Sequence, residues 1–238
     1  MFMSEHRFHL PQLTAVSASP AVPQETGLLV SGGRAPDVRW LHEAARGRRL
    51  IAVDHGLDAC RKAGLRPASL IGDGDSASPL AWEQAKASGI PIHAYPPEKD
   101  DTDTQLALTI AHEEGMPAAL LTGVFGGRFD HAYSTIFSCA AAPLRCVLAD
   151  EREALFYLKD GENIAITCHV RPKAISLLPL TPLAEGVTAD GVHWPLADAT
   201  LPQLLPRAVS NVLEPPQDTF RVSLRQGILG IYLVWGDA

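Results

Sequence analysis

Ser69-Leu70-Ile71-Gly72-Asp73-Gly74-Asp75-Ser76 is a short apolar run closed by an acidic turn that two glycines loosen. The run is too short for a helix and reads as a strand, and a helix-type segment follows at 79–88. The same alternation recurs on both sides. Residues 27–30, 50–54, 90–95, 118–122 and 145–149 read as further strands, most of them apolar on both faces. Between them 36–46, 57–63, 102–114 and 130–142 read as helices. Pro36 and Pro79 fit first-turn positions, and Gly47, Gly64, Gly89 and Gly115 fit helix stops. Strands apolar on both faces and alternating with helices predict an open parallel Rossmann-like sheet over 27–150, with helices on both faces and right-handed crossovers.

Beyond about residue 150 the texture changes. Residues 155–158, 163–168, 174–180, 186–189, 192–196, 219–224 and 228–234 read as strands, with no long amphipathic helix among them. Asp190-Gly191 between two β-type runs signals a hairpin. A small β-sandwich domain over 151–238 is the economical reading. Residues 1–26, with Pro11, Pro20 and Pro23 and no clear periodicity, read as a loosely ordered N-terminal extension.

Composition narrows the function classes. With 238 residues and 46% hydrophobic content the chain can bury a full core. A net charge of -7 and a pI near 5.7 argue against nucleic acid or an anionic membrane as partner, while metal-bridged phosphates stay open because the cation reverses the local field. Cys60, Cys139, Cys146 and Cys168 form no C-x-x-C pair and read as reduced core thiols. The nine histidines lack the spacing of a helical zinc site. The first residues show no basic-then-apolar leader, and no run reaches membrane-span length, which suggests a cytoplasmic location.

Ligands of open parallel sheets bind beyond the carboxyl ends of the strands, where the acidic and glycine-rich clusters of this chain fall. Gly32-Gly33 follows the first strand, Asp54 ends the second, and Asp73 and Asp75 follow the third. Lys99-Asp100-Asp101-Thr102-Asp103 leads into a helix after the fourth, and Gly126-Gly127-Arg128 follows the fifth. Asp73 and Asp75 carry hard oxygen donors, and the glycine between them lets both face one cation. An isolated Asp-x-Asp is more often a solvated turn with its second Asp capping a helix, but the strand-end position favours the metal. Asp54 could serve a metal or a ribose hydroxyl, or cap the helix near Leu57. Thr102 reads as an N-cap and Asp103 as a first-turn carboxylate that could also face a metal. Gly126 and Gly127 allow close backbone approach to phosphate, Arg128 offers it a fork of donors, and Asp130 can cap the helix that follows. Ser210-Asn211 could meet a ligand, and Trp194 reads as core.

Taken in order, Asp54-His55-Gly56, Gly72-Asp73-Gly74-Asp75-Ser76, Lys99 to Asp103, Gly123-Val124-Phe125-Gly126-Gly127-Arg128-Phe129-Asp130-His131 and Ser210-Asn211 resemble the thiamine pyrophosphokinase family over about residues 27–235. The family runs D-G-G, G-D-x-D-S, K-D-x-T-D, G-x-x-G-G-R-x-D-H and a late S-N. Two positions depart from it: His55 stands at the first glycine after Asp54, and Gln105 stands where an acidic residue commonly follows T-D.

The resemblance implies transfer of a pyrophosphoryl group from ATP to the hydroxyl of thiamine, releasing AMP, with Mg²⁺ as cofactor. It implies that Asp54, Asp73, Asp75 and Asp103 serve the metal and that Gly32, Gly33, Gly126, Gly127, Arg128 and Asp130 bind ATP. Asp75, Thr102, Ser210 and Asn211 would bind the acceptor. Asp73, Asp103 and Arg128 would carry the chemistry, Asp103 by steering or deprotonating the alcohol. It also implies a homodimer with a shared active site. A pyrophosphokinase for another alcohol, such as a hydroxymethylpterin, would keep the metal and ATP apparatus. A non-catalytic nucleotide- or thiamine-binding regulator would keep only the fold.

Overall fold

The computed structural model describes residues 5–23, 26–72, 78–95, 98 and 100–236. In chain order these form β1 (His6–Leu10), β2 (Leu13–Ser17), β3 (Gly27–Val30), α1 (Val38–Ala45), β4 (Leu50–Val53), α2 (Gly56–Lys62), β5 (Ser69–Gly72), α3 (Pro79–Ala87), β6 (Ile92–Ala94), α4 (Asp103–Glu113), β7 (Ala118–Thr122), α5 (Phe129–Ala141) and β8 (Arg145–Ala149). Strands then follow one another: β9 (Glu153–Lys159), β10 (Asn163–Cys168), β11 (Ala174–Pro179), β12 (Leu183–Asp190), β13 (Leu196–Pro202), β14 (Thr219–Ser223) and β15 (Ile228–Val234). The chain divides into two compact units, 25–150 and 1–24 with 151–238.

In the α/β unit, β8, β7, β3, β4, β5 and β6 lie side by side and pair in parallel. Every residue of β3, β4, β5 and β7 is buried, so both faces of these strands are covered. That burial demands the unbroken apolar runs seen in the sequence. Helix ends follow local chemistry. Asp37 caps α1 through Arg39 N and Trp40 N, which leaves Pro36 ahead of the cap and not in the first turn. Gly47, Gly64, Gly89 and Gly115 follow helix ends with φ between 67° and 78°, the left-handed conformation that stops a helix.

In the β unit, β1-β2-β10-β14-β12-β13 make one antiparallel sheet, and β11 and β9 flank β15 in another. Phe8 of β1 meets Phe156 of β9 edge-on, with ring centroids 6.0 Å apart. The N-terminal segment is therefore not a loose lead-in. It folds as a hairpin whose β2 pairs with β10 over Ala15↔Ile166 and its neighbours, burying Phe8, Leu10 and Leu13. The 192–196 strand is also corrected. The partner of β12 begins only at Leu196, because Val192 bridges to Leu213 and the backbone of Trp194 is held by the Asn211 side chain. The four cysteines are free and buried, and burial pushes the Cys60 and Cys168 thiols up to about 12.

Candidate active site

Close backbone approaches bring together the loops beyond the carboxyl ends of β3, β4 and β7 and the last residues of β5. Gly33 N donates to Gly123 O at 2.6 Å, and Arg34 N donates to Phe125 O at 2.7 Å. A Cβ on Gly33 would lie 2.6 Å from Gly123 O, and one on Gly127 would lie 3.3 Å from Gly33 Cα. The glycine at 33 is thus set by space, and the one at 127 sits in tight contact with it. On the other side, a Cβ on Gly32 would strike His55 Cβ at 2.7 Å, which joins the loop after β3 to the loop after β4.

Asp54 stands directly after β4 with φ 51°, an uncommon conformation for a residue with a side chain. Its backbone N–H donates to Ile71 O, and a Cβ on Gly72 would lie 3.3 Å from Asp54 Oδ1. The half-buried Asp54 carboxyl therefore lies beside the residue that leads into Asp73. Asp54 does not cap α2; His55 occupies that position and makes no side-chain capping bond. Asp73, Asp75 and Lys99 lie outside the described residues. Asp75 is not the cap of α3, because Ser78 fills that role. Among the described residues, no group of three or more His, Cys, Asp or Glu side chains is gathered closely enough to hold a metal.

Thr102 caps α4, and Gln105 completes the cap by accepting from Thr102 N at 2.8 Å. This reciprocal pair gives Gln105, the departure from the family pattern, a structural reason. Asp103 is the first residue of α4 and is half-buried. Thr102, Thr104, Asp130, His131, Ser134 and Thr135 line one cleft of about 240 Å³. The N-terminal turns of α4 and α5 meet there, with the Asp130 carboxylate in the lining.

Arg128, not Asp130, is the N-cap residue of α5, and its side chain makes no capping bond. The exposed guanidinium instead grips Asp130 through Nε and Nη2, and Asp130 also accepts from His131 N. The bond from Arg128 lowers the Asp130 carboxyl to about 2, and Asp130 in turn raises the guanidinium. The sequence reading missed one pair here. Arg34 donates to Asp150 Oδ2 from Nη2 at 2.7 Å and from Nε at 3.2 Å, and Asp150 is fully buried. This ties the loop after β3 to the end of β8, and Asp150's strand-end position was the one available signal.

Ser210 and Asn211 lie in the β unit, on a pocket of about 360 Å³ that Trp194, Leu177 and Phe220 also line. Ser210 has φ 60° and donates its backbone N–H to Ser176 Oγ. Both ends of the Asn211 amide are engaged locally: Nδ2 donates to Trp194 O, and Oδ1 accepts from Trp194 N and Val212 N. Trp194 is 59% exposed, so it is a pocket wall and not core, the reverse of its sequence reading.

Comparison with known proteins places matches on both units. Residues 42–146 match the family model "Thiamin pyrophosphokinase, catalytic domain", and residues 163–229 match "Thiamin pyrophosphokinase, vitamin B1 binding domain". A curated relative, thiamine pyrophosphokinase of Bacillus subtilis, is 28% identical over 182 residues, 75% of this chain and 84% of its own. The crystal structure of thiamine pyrophosphokinase from Bacillus subtilis aligns with a TM-score of 0.78 at 24% identity, covering 90% of this chain and all of that one. A thiamin pyrophosphokinase family protein from Enterococcus faecalis aligns at 0.75 and 21% identity, with the same coverage.

Proposed function

We propose a mechanism for a chain that belongs to the thiamine pyrophosphokinase family: it transfers the pyrophosphoryl group of ATP to the hydroxyl of thiamine, giving thiamine diphosphate and AMP. The observation that carries this reading is the meeting of the loops after β3, β4 and β7 around Gly33, Gly123, His55 and Asp54, with the last residues of β5 beside Asp54. The sheet is read as Rossmann-like, with the crevice at its carboxyl edge as the ATP site. Gly32, Gly33, Gly126 and Gly127 let backbone approach the phosphates. Arg128 spends two donors on Asp130, and its remaining donors are assigned to phosphate oxygens. Asp130 thus orients the fork.

The donor set fits Mg²⁺. Asp54, Asp73, Asp75 and Asp103 are all carboxylates, the hard oxygen ligands this ion takes. Gly72 leaves open the space beside Asp54 that a Cβ would enter, 3.3 Å from Oδ1. Asp73 and Asp75 are the principal ligands in this assignment, with Asp54 and Asp103 alongside. When bound, the ion neutralises phosphate charge. Asp103, at the start of α4, orients the acceptor hydroxyl or takes its proton, and Thr102 beside it contacts the acceptor. In line with a loose phosphoryl transition state, positioning supplies most of the catalysis.

The β unit, read as a sandwich, is assigned to thiamine. Trp194 offers an exposed ring for the aromatic heterocycles, and Ser210 faces the same pocket. Asn211 contributes by holding Trp194. A homodimer with a shared active site and a cytoplasmic location complete the reading. Among the described residues, no helix is long and apolar enough to cross a membrane.

The test is product analysis with ATP, Mg²⁺ and either thiamine or hydroxymethylpterin. Thiamine should yield AMP and thiamine diphosphate one to one, and the pterin should yield neither AMP nor a diphosphate ester. ADP formed in step with product would refute pyrophosphoryl transfer.

A further inference from the structure

Arg34 holds the glycine loop after β7 by its backbone and again by its side chain. Its backbone N–H donates to Phe125 O at 2.7 Å, one residue before Gly126. Its side chain then folds over Gly126: a Cβ there would lie 2.8 Å from Arg34 Cβ, 3.2 Å from Cδ and 2.8 Å from Nη1. Only glycine lets the chain pass this close, and the φ of 67° at Gly126 favours glycine as well. The far end of the side chain is anchored. Nε and Nη2 converge on Asp150 Oδ2 at 3.2 and 2.7 Å, and Asp150 is fully buried directly after β8. Gly33 N secures the start of the same loop through Gly123 O at 2.6 Å.

The backbone bonds from Gly33 and Arg34 do not depend on which side chain stands at 34. An apolar side chain could cover Gly126, and it would spare the desolvation that a buried carboxylate costs. What the ion pair adds is a fixed guanidinium, and with it a fixed wall against which Gly126 rests. We infer that Arg34 and Asp150 are positioning residues for ATP: Asp150 anchors the guanidinium, and the anchored Arg34 side chain sets where the Gly126 backbone and Arg128, two residues on, meet the phosphates. The inference rests on the assignment of Gly126 and Arg128 to phosphate.

The test is calorimetric binding of a non-hydrolysable ATP analogue with Mg²⁺ to the full chain, well below each variant's thermal midpoint. Arg34→Met with Asp150→Leu removes the anchor without leaving a buried carboxylate unpaired. It should weaken binding about tenfold, the worth of one misplaced charge-assisted hydrogen bond. Asp150→Asn should recover most of that loss, because both bonds reach a single oxygen and the amide still offers one. A pair that only stabilised the fold would lower the midpoint and leave the affinity of the folded protein unchanged. Arg128→Ala is the control for the underlying reading. If Arg128→Ala abolishes binding and the double variant stays within twofold of the parent, the positioning role is wrong and the phosphate assignment stands. If neither moves it, both fall. Should the double variant not fold, Arg34→Lys carries the test, since an ammonium cannot reproduce the planar fork. Its expected loss is again about tenfold, and no change overturns the inference.

Discussion

Gly33→Ala joins the fold to the chemistry. The new methyl would lie 2.6 Å from Gly123 O and 2.9 Å from Phe125 O, about 0.8 Å short of ordinary contact at 3.4 Å for the nearer atom. The loop after β7 must retreat, straining the bonds from Gly33 N to Gly123 O and from Arg34 N to Phe125 O. Overpacking of this kind costs about 1–3 kcal/mol, and each weakened backbone bond costs up to about 1 more. A net loss of about 3 kcal/mol would lower the thermal midpoint by about 6–12 °C in a protein of this size. A displacement near 1 Å at a reacting group costs about a hundredfold in rate. Thermal melts together with kcat/KM for ATP at 25 °C measure both effects. Gly47→Ala is the control. Its φ of 69° penalises alanine, yet a Cβ there meets nothing within 4 Å, so it should lose about 1 kcal/mol of stability and no activity. A Gly33→Ala enzyme with unchanged midpoint and kcat/KM would refute the placement of these loops.

Asp150→Ala should destabilise by about 3–5 kcal/mol, because it removes the fully buried carboxylate that the Arg34 guanidinium grips with two donors. Arg34→Met with Asp150→Leu should cost less than Asp150→Ala alone, and chemical denaturation compares the two. The Asp130 carboxyl, depressed to about 2 by Arg128, should stay ionised throughout the neutral range. Its contribution is complete above the ordinary carboxylate range and is lost only as pH falls through about 2. Carbon NMR should show that midpoint returning toward the ordinary value in Arg128→Ala, and an unchanged midpoint would break the pairing. Mixing inactive Asp73→Asn protein with an inactive Ser210-loop variant should restore part of the activity if the dimer shares its sites. No recovery despite proven subunit exchange would mean that each chain builds its site alone.

The parallel strands were legible because residues buried on both faces must be apolar without interruption, as Leu28 to Val30 and Ala118 to Leu121 are. The capping box at Thr102 and Gln105 was half legible: its S/T-x-x-E/Q spacing is local, but Gln105 looked like a lost charge until its bond to Thr102 N was seen. The N-terminal hairpin was missed for the opposite reason. Phe8, Leu10 and Leu13 alternate with polar residues, but the strand that β2 joins is β10, far along the chain. Trp194 was misread because aromatic size favours burial, whereas here Asn211 fixes its backbone at a pocket edge. Arg34 and Asp150 carry no motif, and only the fold brings them together.

The central claim is that the crevice at the carboxyl edge of the parallel sheet holds the metal and the triphosphate. A crystal of the full chain with Mn²⁺ and a non-hydrolysable ATP analogue, measured for anomalous scattering, locates the metal directly. The account predicts a peak bound by the Asp73 and Asp75 carboxylates at about 2.0–2.2 Å, close to the Mg²⁺ distance, with the phosphates reaching Arg128 and the backbone of Gly126 and Gly127. A peak elsewhere in a crystal that contains the analogue, or phosphates that avoid this edge of the sheet, would contradict it.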